Sequence, residues 1–160
     1  MNGAAIDNAL RNAIGARYLG VYAADEVAGV LSREMCNKQQ QQQVRCFLAN
    51  TDNSNEPGEH WVAFTLIGNT VLEFFDSYGF HPSLYFPNAL PHTPLTIHFN
   101  NVKLQKLNSS VCAHYCFYYL YFRCLMHKSL NSIVTSLSIA RTPHPDQSVK
   151  SFFIRIMNNK

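Results

Sequence analysis

The sequence predicts one α+β domain in which a buried helix packs on a mostly antiparallel sheet. Three observations carry this expectation. Residues 112–126 are apolar or aromatic almost all the way round a helix. Cys112, Cys116, Tyr119, Phe122 and Met126 make one stripe, and Ala113, Phe117, Leu120 and Cys124 make another, so both sides need covering. Trp61–Leu66 and Thr70–Phe75 read as two strands of a hairpin around Ile67-Gly68-Asn69. Helical periodicity then brackets the strand-like middle of the chain at both ends.

In chain order, Ile6, Leu10 and Ile14 put residues 4–14 in helical register, and Tyr18–Tyr22 is a short extended or turn segment. Val27, Val30 and Leu31 suit a helix over Asp25–Met35, and the glutamines at 39–43 suit an exposed loop or helix end. Val44–Ala49 reads as a strand, and the polar stretch Thr51–Glu59, with Pro57-Gly58, as a loop. Two hairpin registers fit the sequence. A two-residue Gly68-Asn69 turn pairs His60 with Ser77, and a three-residue loop pairs His60 with Asp76. Either way the two side chains arrive at the same end of the hairpin. Tyr78–Pro94 holds four prolines and reads as loop with a short helix near Ser83. Leu95–Phe99 and Val102–Leu104 read as short strands. Asn108, Ser109 and Ser110 are good N-caps for the central helix. Leu130–Ile139 and Asp146–Met157 complete the helices, separated by a break at Thr142–Pro145.

Composition sets the broad class. A hydrophobic fraction of 47% and a charged fraction of 14% are those of a globular protein, and the length suits a single domain spanning 1–160. The longest apolar stretch contains His114 and Arg123, which argues against a membrane span. Five irregularly spaced cysteines with no secretory leader predict reduced thiols in a nuclear or cytosolic setting. Residues 1–76 carry five Lys/Arg against nine Asp/Glu, and residues 77–160 carry eight against one. That asymmetry fits either a solvated basic surface or non-specific contact to DNA through residues such as Lys103, Lys106, Lys128, Arg141, Lys150 and Arg155.

Four residues supply the parts of a thiol-based acyl transfer. Cys112 opens the central helix, whose unpaired N–H groups and positive dipole end favour a thiolate. His60 is its base, Asp76 orients the imidazole, and Gln105 together with the Cys112 backbone N–H would bind the oxyanion. Rivals exist for two roles. Cys116 lies one turn deeper, where its thiolate would be desolvated, and Glu73 is offset from Asp76 by an odd number of residues and so faces the other side of the sheet. A buried helix of this kind also accommodates all its cysteines as ordinary core residues. Cys112, Cys116, His114 and His127 lack the paired knuckle spacing of structural zinc, so no metal or cofactor is expected. The other histidines, His81, His92, His98, His114, His127 and His144, default to surface or satisfied polar roles.

The ordered segments His60-Trp61-Val62-Ala63-Phe64, Phe75-Asp76-Ser77-Tyr78-Gly79-Phe80 and Gln105 to Cys116, with Tyr18-Leu19-Gly20-Val21-Tyr22 before them, resemble the adenovirus protease (adenain) family and the fold it shares with SUMO- and ubiquitin-like-specific proteases. The resemblance implies a cysteine endopeptidase with His60, Asp76 and Cys112 as its triad, Gln105 in the oxyanion hole and Trp61 as a wall of the substrate channel. It also implies cleavage of capsid or core precursors at glycine-containing sites, in the host nucleus or cytoplasm and packaged in a virion. Three departures stand out. Ala113 replaces the usual glycine after the nucleophile, and Asp76 replaces the adenoviral Glu. Pro94-Leu95-Thr96 lacks the cysteine through which the adenoviral enzyme holds its peptide activator, so a peptide activator here would bind without that disulfide. The alternatives are a deubiquitinating or deSUMOylating isopeptidase, and an inactive DNA- or protein-interaction domain on the same fold.

Overall fold

The computed structural model describes residues 3–40, 42–90, 93–140 and 142–159. A five-stranded sheet, ordered β1-β2-β3-β4-β5, consists of β1 (Tyr18–Tyr22), β2 (Val44–Asn50), β3 (Trp61–Ile67), β4 (Val71–Phe75) and β5 (Thr96–Phe99). The α+β class is as expected, but antiparallel pairing is confined to β2–β3 and β3–β4. The outer pairs, β1–β2 and β4–β5, are parallel.

Both faces of the sheet are covered. Helices α1 (Gly3–Ile14), α3 (Cys112–Cys124), α4 (Leu130–Ile139) and α5 (Pro145–Asn158) share one core with Cys46, Leu48, Ala63 and Phe75. Helix α2 (Val27–Cys36) and the segment around Phe86 share the other with Phe47, Ala49, Val62, Phe64, Leu66, Leu72 and Phe74. Alternate residues of each strand thus enter opposite cores, which is why the inner strands read as nearly unbroken apolar runs. Helix α3 packs against α1, α5 and the sheet, so it needs apolar side chains on nearly every side.

The hairpin takes neither expected register: it lies one residue beyond the two-residue turn and two beyond the three-residue loop. Ile67 pairs with Val71 and Ala63 with Phe75, closing a three-residue loop of Gly68, Asn69 and Thr70. Gly68 takes the positive φ of 57° that such a loop needs. Continued past Ala63, the ladder sets Val62 opposite Asp76, so His60 is its diagonal neighbour on the same face. Val102–Leu104 is not a strand. It is an extended loop whose Leu104 and Gln105 N–H groups both donate to the Ser77 carbonyl, at 2.9 and 3.0 Å. Gly79 permits this docking. Its φ is 74°, and a Cβ there would stand 2.7 Å from the Val102 carbonyl carbon.

The loop 100–105 and the turn 76–79 therefore approach backbone to backbone. Replacing Gly79 with Ala should lower stability by about 1–3 kcal/mol in urea unfolding, from left-handed strain and the clash together. Gly29→Ala, in the middle of α2 with open space around it, is the control and should not destabilise.

Candidate active site

His60 sits just ahead of β3 and Asp76 just after β4. The diagonal register brings His60 Nε2 within 2.7 Å of Asp76 Oδ1. Asp76 has 0% exposure, and its carboxylate is held from several sides. The N–H groups of Tyr78 and Phe80 donate to it at 2.9 and 3.0 Å, and the Tyr85 hydroxyl does so at 3.2 Å. Asn100 braces the backbone of the same residue: its Oδ1 accepts the Asp76 N–H at 2.9 Å and its Nδ2 donates to the Asp76 carbonyl at 2.6 Å. The imidazole packs against the Tyr78 ring at 4.8 Å between centroids. With Nε2 held by the carboxylate, Nδ1 is the ring nitrogen left for the sulfur.

Cys112 is the first residue of α3. The expected caps do not cap. Val111 is the N-cap residue and supplies no side-chain cap. The His114 and Tyr115 N–H groups donate to the Val111 carbonyl, and the Ala113 N–H is turned to the Cys112 sulfur. Burial pushes the Cys112 thiol up, but the hydrogen bond with His60 and the N–H groups of Trp61 and Ala113 outweigh it and bring the thiol below its ordinary value of 9.0. For His60, burial disfavours the cation. The Asp76 carboxylate and the Cys112 sulfur more than offset that, and its pKa is pushed up to about 9. The two groups therefore stabilise each other as a thiolate–imidazolium pair. Cys116 is the opposite case: burial, together with the nearby Cys112 and Asp76 charges, drives its thiol well above the ordinary value. Its Sγ lies 3.3 Å from the Trp61 carbonyl.

Gln105 is buried beside the cleft. Its Oε1 accepts from the Ser77 hydroxyl at 2.7 Å, and its Nε2 donates to the Ser109 carbonyl. That carbonyl can only accept, which fixes which end of the amide is nitrogen. The second N–H faces the Tyr78 hydroxyl at 3.3 Å, a long contact that a stronger acceptor would displace. His60, Trp61, Gln105 and Cys112 line one cleft of about 410 Å³, with Tyr78 and Ser109 beside them, and Asp76 stands behind His60. Trp61 is half-buried. Its ring packs so closely on the start of α1 that a Cβ at Gly3 would lie 2.8 Å from it.

Glu73 takes another role. It binds the Tyr119 hydroxyl at 3.0 Å and Arg123 Nε at 2.6 Å. It does lie across the sheet from its neighbours Leu72 and Phe74, but on the side of α3. Position along the helix is what removes it from the site: it meets α3 seven and eleven residues beyond Cys112, on the order of 10–16 Å along the axis. A larger hollow, about 480 Å³, includes Glu73 and His98 between β5 and α4 but no thiol.

Sequence reasoning missed Asn100, Ser77 and Tyr85, and assigned no role to Tyr78. Each acts through contacts nine to 28 residues apart, for which the local sequence carries no signal. The expectation for His114 also fails. It is buried, its Nδ1 has no partner among the described residues, and burial with nearby Lys150 pulls its pKa down to about 4. His81 and His144 accept N-cap bonds from Ser83 and Asp146. Lys103, Lys106, Lys128, Lys150 and Arg155 are exposed. Arg141, His92 and Gln41 lie outside the described residues.

Among solved structures, the ASFV pS273R protease is similar over 85% of this chain and 62% of its own, with a TM-score of 0.53 and 17% identity. The chain and that protease share a fold. The central domain of the uncharacterized Lpg1148 protein from Legionella pneumophila is similar over 88% of both chains, with a TM-score of 0.50 and 13% identity. The chain thus spans less than two thirds of the viral protease's length. No protein-family model matches the sequence, and no curated protein does. Neither of these two structures is an adenovirus protease, so nothing in them supports the adenoviral family in particular.

Iodoacetamide at neutral pH should label Cys112 and leave Cys116 unmodified, as read by peptide mass spectrometry. Its rate should hold as pH falls below 9.0, because the thiolate persists there. In His60→Gln that advantage is lost, and labelling at neutral pH should drop by about tenfold or more. Equal labelling of Cys116 in the wild type would reverse the nucleophile assignment.

Proposed function

We propose that the chain is a cysteine endopeptidase that cleaves precursor proteins of a virus or virus-like element at glycine-containing sites. The observation that carries this reading is the convergence of a thiol, an imidazole, a buried carboxylate and a side-chain amide on one cleft from four separate segments. The fold shared with the ASFV pS273R protease supports it. So does Trp61, which lines the cleft beside Cys112 and in this reading favours a substrate without side-chain bulk at the reacting carbonyl.

Cys112 Sγ attacks the carbonyl carbon, and the carbonyl π electrons move to oxygen. The oxyanion accepts from Gln105 Nε2, displacing the Tyr78 hydroxyl, and from the backbone N–H of Cys112. As the tetrahedral centre collapses, the C–N bond breaks and His60 gives its proton to the departing amine. Water then attacks the thioester with His60 as base, releasing the acid and restoring the thiolate–imidazolium pair. Asp76 remains ionised throughout and holds the ring by Nε2. The fold likeness favours one second reading, an isopeptidase for ubiquitin- or SUMO-type conjugates, whose glycine-terminated carbonyl suits the same cleft. A Gly-Gly-terminated ubiquitin or SUMO probe, run beside glycine-containing precursor peptides, separates the two. An inactive interaction domain would be expected to lack at least one of the four groups.

Cys112→Ala should abolish cleavage, whereas Cys116→Ala retains it. Gln105→Ala should lower kcat by about 10²–10³ with KM little changed, since only the transition state carries the developing charge. A loss of only a few-fold would make Gln105 an ordinary loop residue. The pH profile should be bell-shaped. Activity needs Cys112 deprotonated, so it falls on the acid side at a pH below 9.0. It needs His60 protonated, so it also falls as pH rises through about 9, while alkylation of the thiolate does not fall there.

A further inference from the structure

Asp76, Ser77 and Tyr78 are consecutive, and each touches the catalytic machinery. Asp76 holds the His60 imidazole, and the Ser77 hydroxyl donates to Gln105 Oε1. Tyr78 is tied in by its backbone and by both parts of its side chain. Its N–H donates at 2.9 Å to Asp76 Oδ1, the oxygen that also meets His60 Nε2. Its ring lies on the imidazole, with 4.8 Å between centroids. Its hydroxyl stands 3.3 Å from Gln105 Nε2, and the residue lines the cleft that holds Cys112. Moving the hydroxyl away would cost the half-buried ring its packing on His60.

Chemistry fixes the direction of the contact with Gln105. An amide nitrogen donates and does not accept, so the phenol oxygen is the acceptor there. The hydrogen that the phenol carries is left uncommitted, since no described residue accepts from it. Burial, with the charges of Cys112, Asp76 and Asp146, raises the Tyr78 pKa above its ordinary value of 10.0. The group therefore remains an O–H donor wherever the thiolate–imidazolium pair exists.

When Cys112 Sγ attacks, a C–S bond forms and the carbonyl π electrons move to oxygen. That oxygen replaces the phenol as the acceptor from Gln105 Nε2. A point about 2.9 Å from the nitrogen and about 2.7 Å from the phenol oxygen closes a triangle on the 3.3 Å base. These are ordinary lengths for N–H···O and O–H···O bonds, and the phenol hydrogen turns about its C–O bond to meet the incoming charge.

We propose that Tyr78 is a further catalytic residue, whose hydroxyl donates to the oxyanion beside Gln105 Nε2 and the Cys112 N–H. The phenol keeps its hydrogen throughout, and the proton for the leaving amine still comes from His60. The proposal rests on the proteolytic reading, and its test keeps the two apart.

Tyr78→Phe keeps the ring on the imidazole and removes only the hydroxyl. Its kcat should fall by about tenfold to a hundredfold with KM little changed, less than for a sole side-chain donor because two donors remain. The competing role has the opposite sign. If the hydroxyl only occupies Gln105 in the resting site, its removal frees the amide, and kcat holds or rises; that result overturns the proposal. In the Gln105→Ala background Tyr78→Phe should lower kcat further, and no added loss there also overturns it, since the hydroxyl would then act only through Gln105. Alkylation of Cys112 by iodoacetamide forms no oxyanion, so its rate in Tyr78→Phe should stay within about twofold of wild type. An equal loss in alkylation and cleavage would place the hydroxyl's effect on the thiolate–imidazolium pair and refute the donor role. Thermal melting checks that each variant folds.

If the wild type cleaves neither peptides nor the ubiquitin and SUMO probes, the proteolytic reading falls instead. The hydroxyl is then read with an N-acylglycinal, whose aldehyde carbon takes the Cys112 sulfur and whose oxygen takes the electron pair. Protection of Cys112 from iodoacetamide measures its affinity. Affinity about tenfold weaker in Tyr78→Phe supports the donor. Equal affinity, or no protection in the wild type, refutes it.

Discussion

Asp76 is a fully buried residue whose carboxylate is met by an imidazole, two backbone N–H groups and a tyrosine hydroxyl. Burying a charge is costly unless it is paired and hydrogen-bonded, so the surrounding chain must be shaped to supply those donors. The turn 76–80 folds back to offer its own amides. The loop near Asn100 is drawn in because the Asn100 side chain satisfies the N–H and the carbonyl of Asp76 at once. Gly79 lets that loop close to backbone contact, and the Ser77 carbonyl then fixes Gln105 beside the cleft. One buried carboxylate thereby orders the His60 imidazole directly and the Gln105 amide through two further contacts.

Two cysteines a turn apart on one helix show how far placement decides chemistry. Both are buried, and desolvation raises both thiols. Cys112 meets an imidazolium and two amide donors, so its thiol ends below the ordinary value. Cys116 meets a carbonyl and two negative charges, so its thiol ends far above it. The uncapped start of α3 contributes to the difference, since a side-chain cap would compete for the amide that now faces the sulfur.

The elements with a strong local period were legible in the sequence: the helices, the inner strands, and the turn at Gly68. The register was not, because Ile67 suits a strand end as well as a turn, and a single step decides it. The pairing of His60 with Asp76 survived that shift since a diagonal neighbour on the same face remains within side-chain reach. The parallel outer pairs were invisible for a related reason: strand composition carries no direction. Val102–Leu104 has strand composition, yet its backbone donors go to Ser77 and no ladder forms. Asn100 looks like any polar loop residue until Asp76 is placed 24 positions away beside it.

Helix α3 holds Cys112 against the His60 imidazole, which another element carries. Its apolar stripes interdigitate with the surrounding core, and polar contacts add direction to that fit. Tyr115, Tyr119 and Arg123, spaced four apart and so along one face, supply directional contacts. Tyr115 donates to the Leu104 carbonyl and to Asp146, Tyr119 reaches Thr65 and Glu73, and Arg123 binds Glu73. Together these bonds end on four neighbours of the site, two of them sharing Glu73: the loop of Gln105, helix α5, the strand that follows His60 and the strand that precedes Asp76. Sliding the helix by one residue, about 1.5 Å, would break all of them together. The polar residues inside this otherwise apolar helix thus add direction to its packed register, and that register brings Cys112 to the His60 imidazole and holds the loop that carries Gln105.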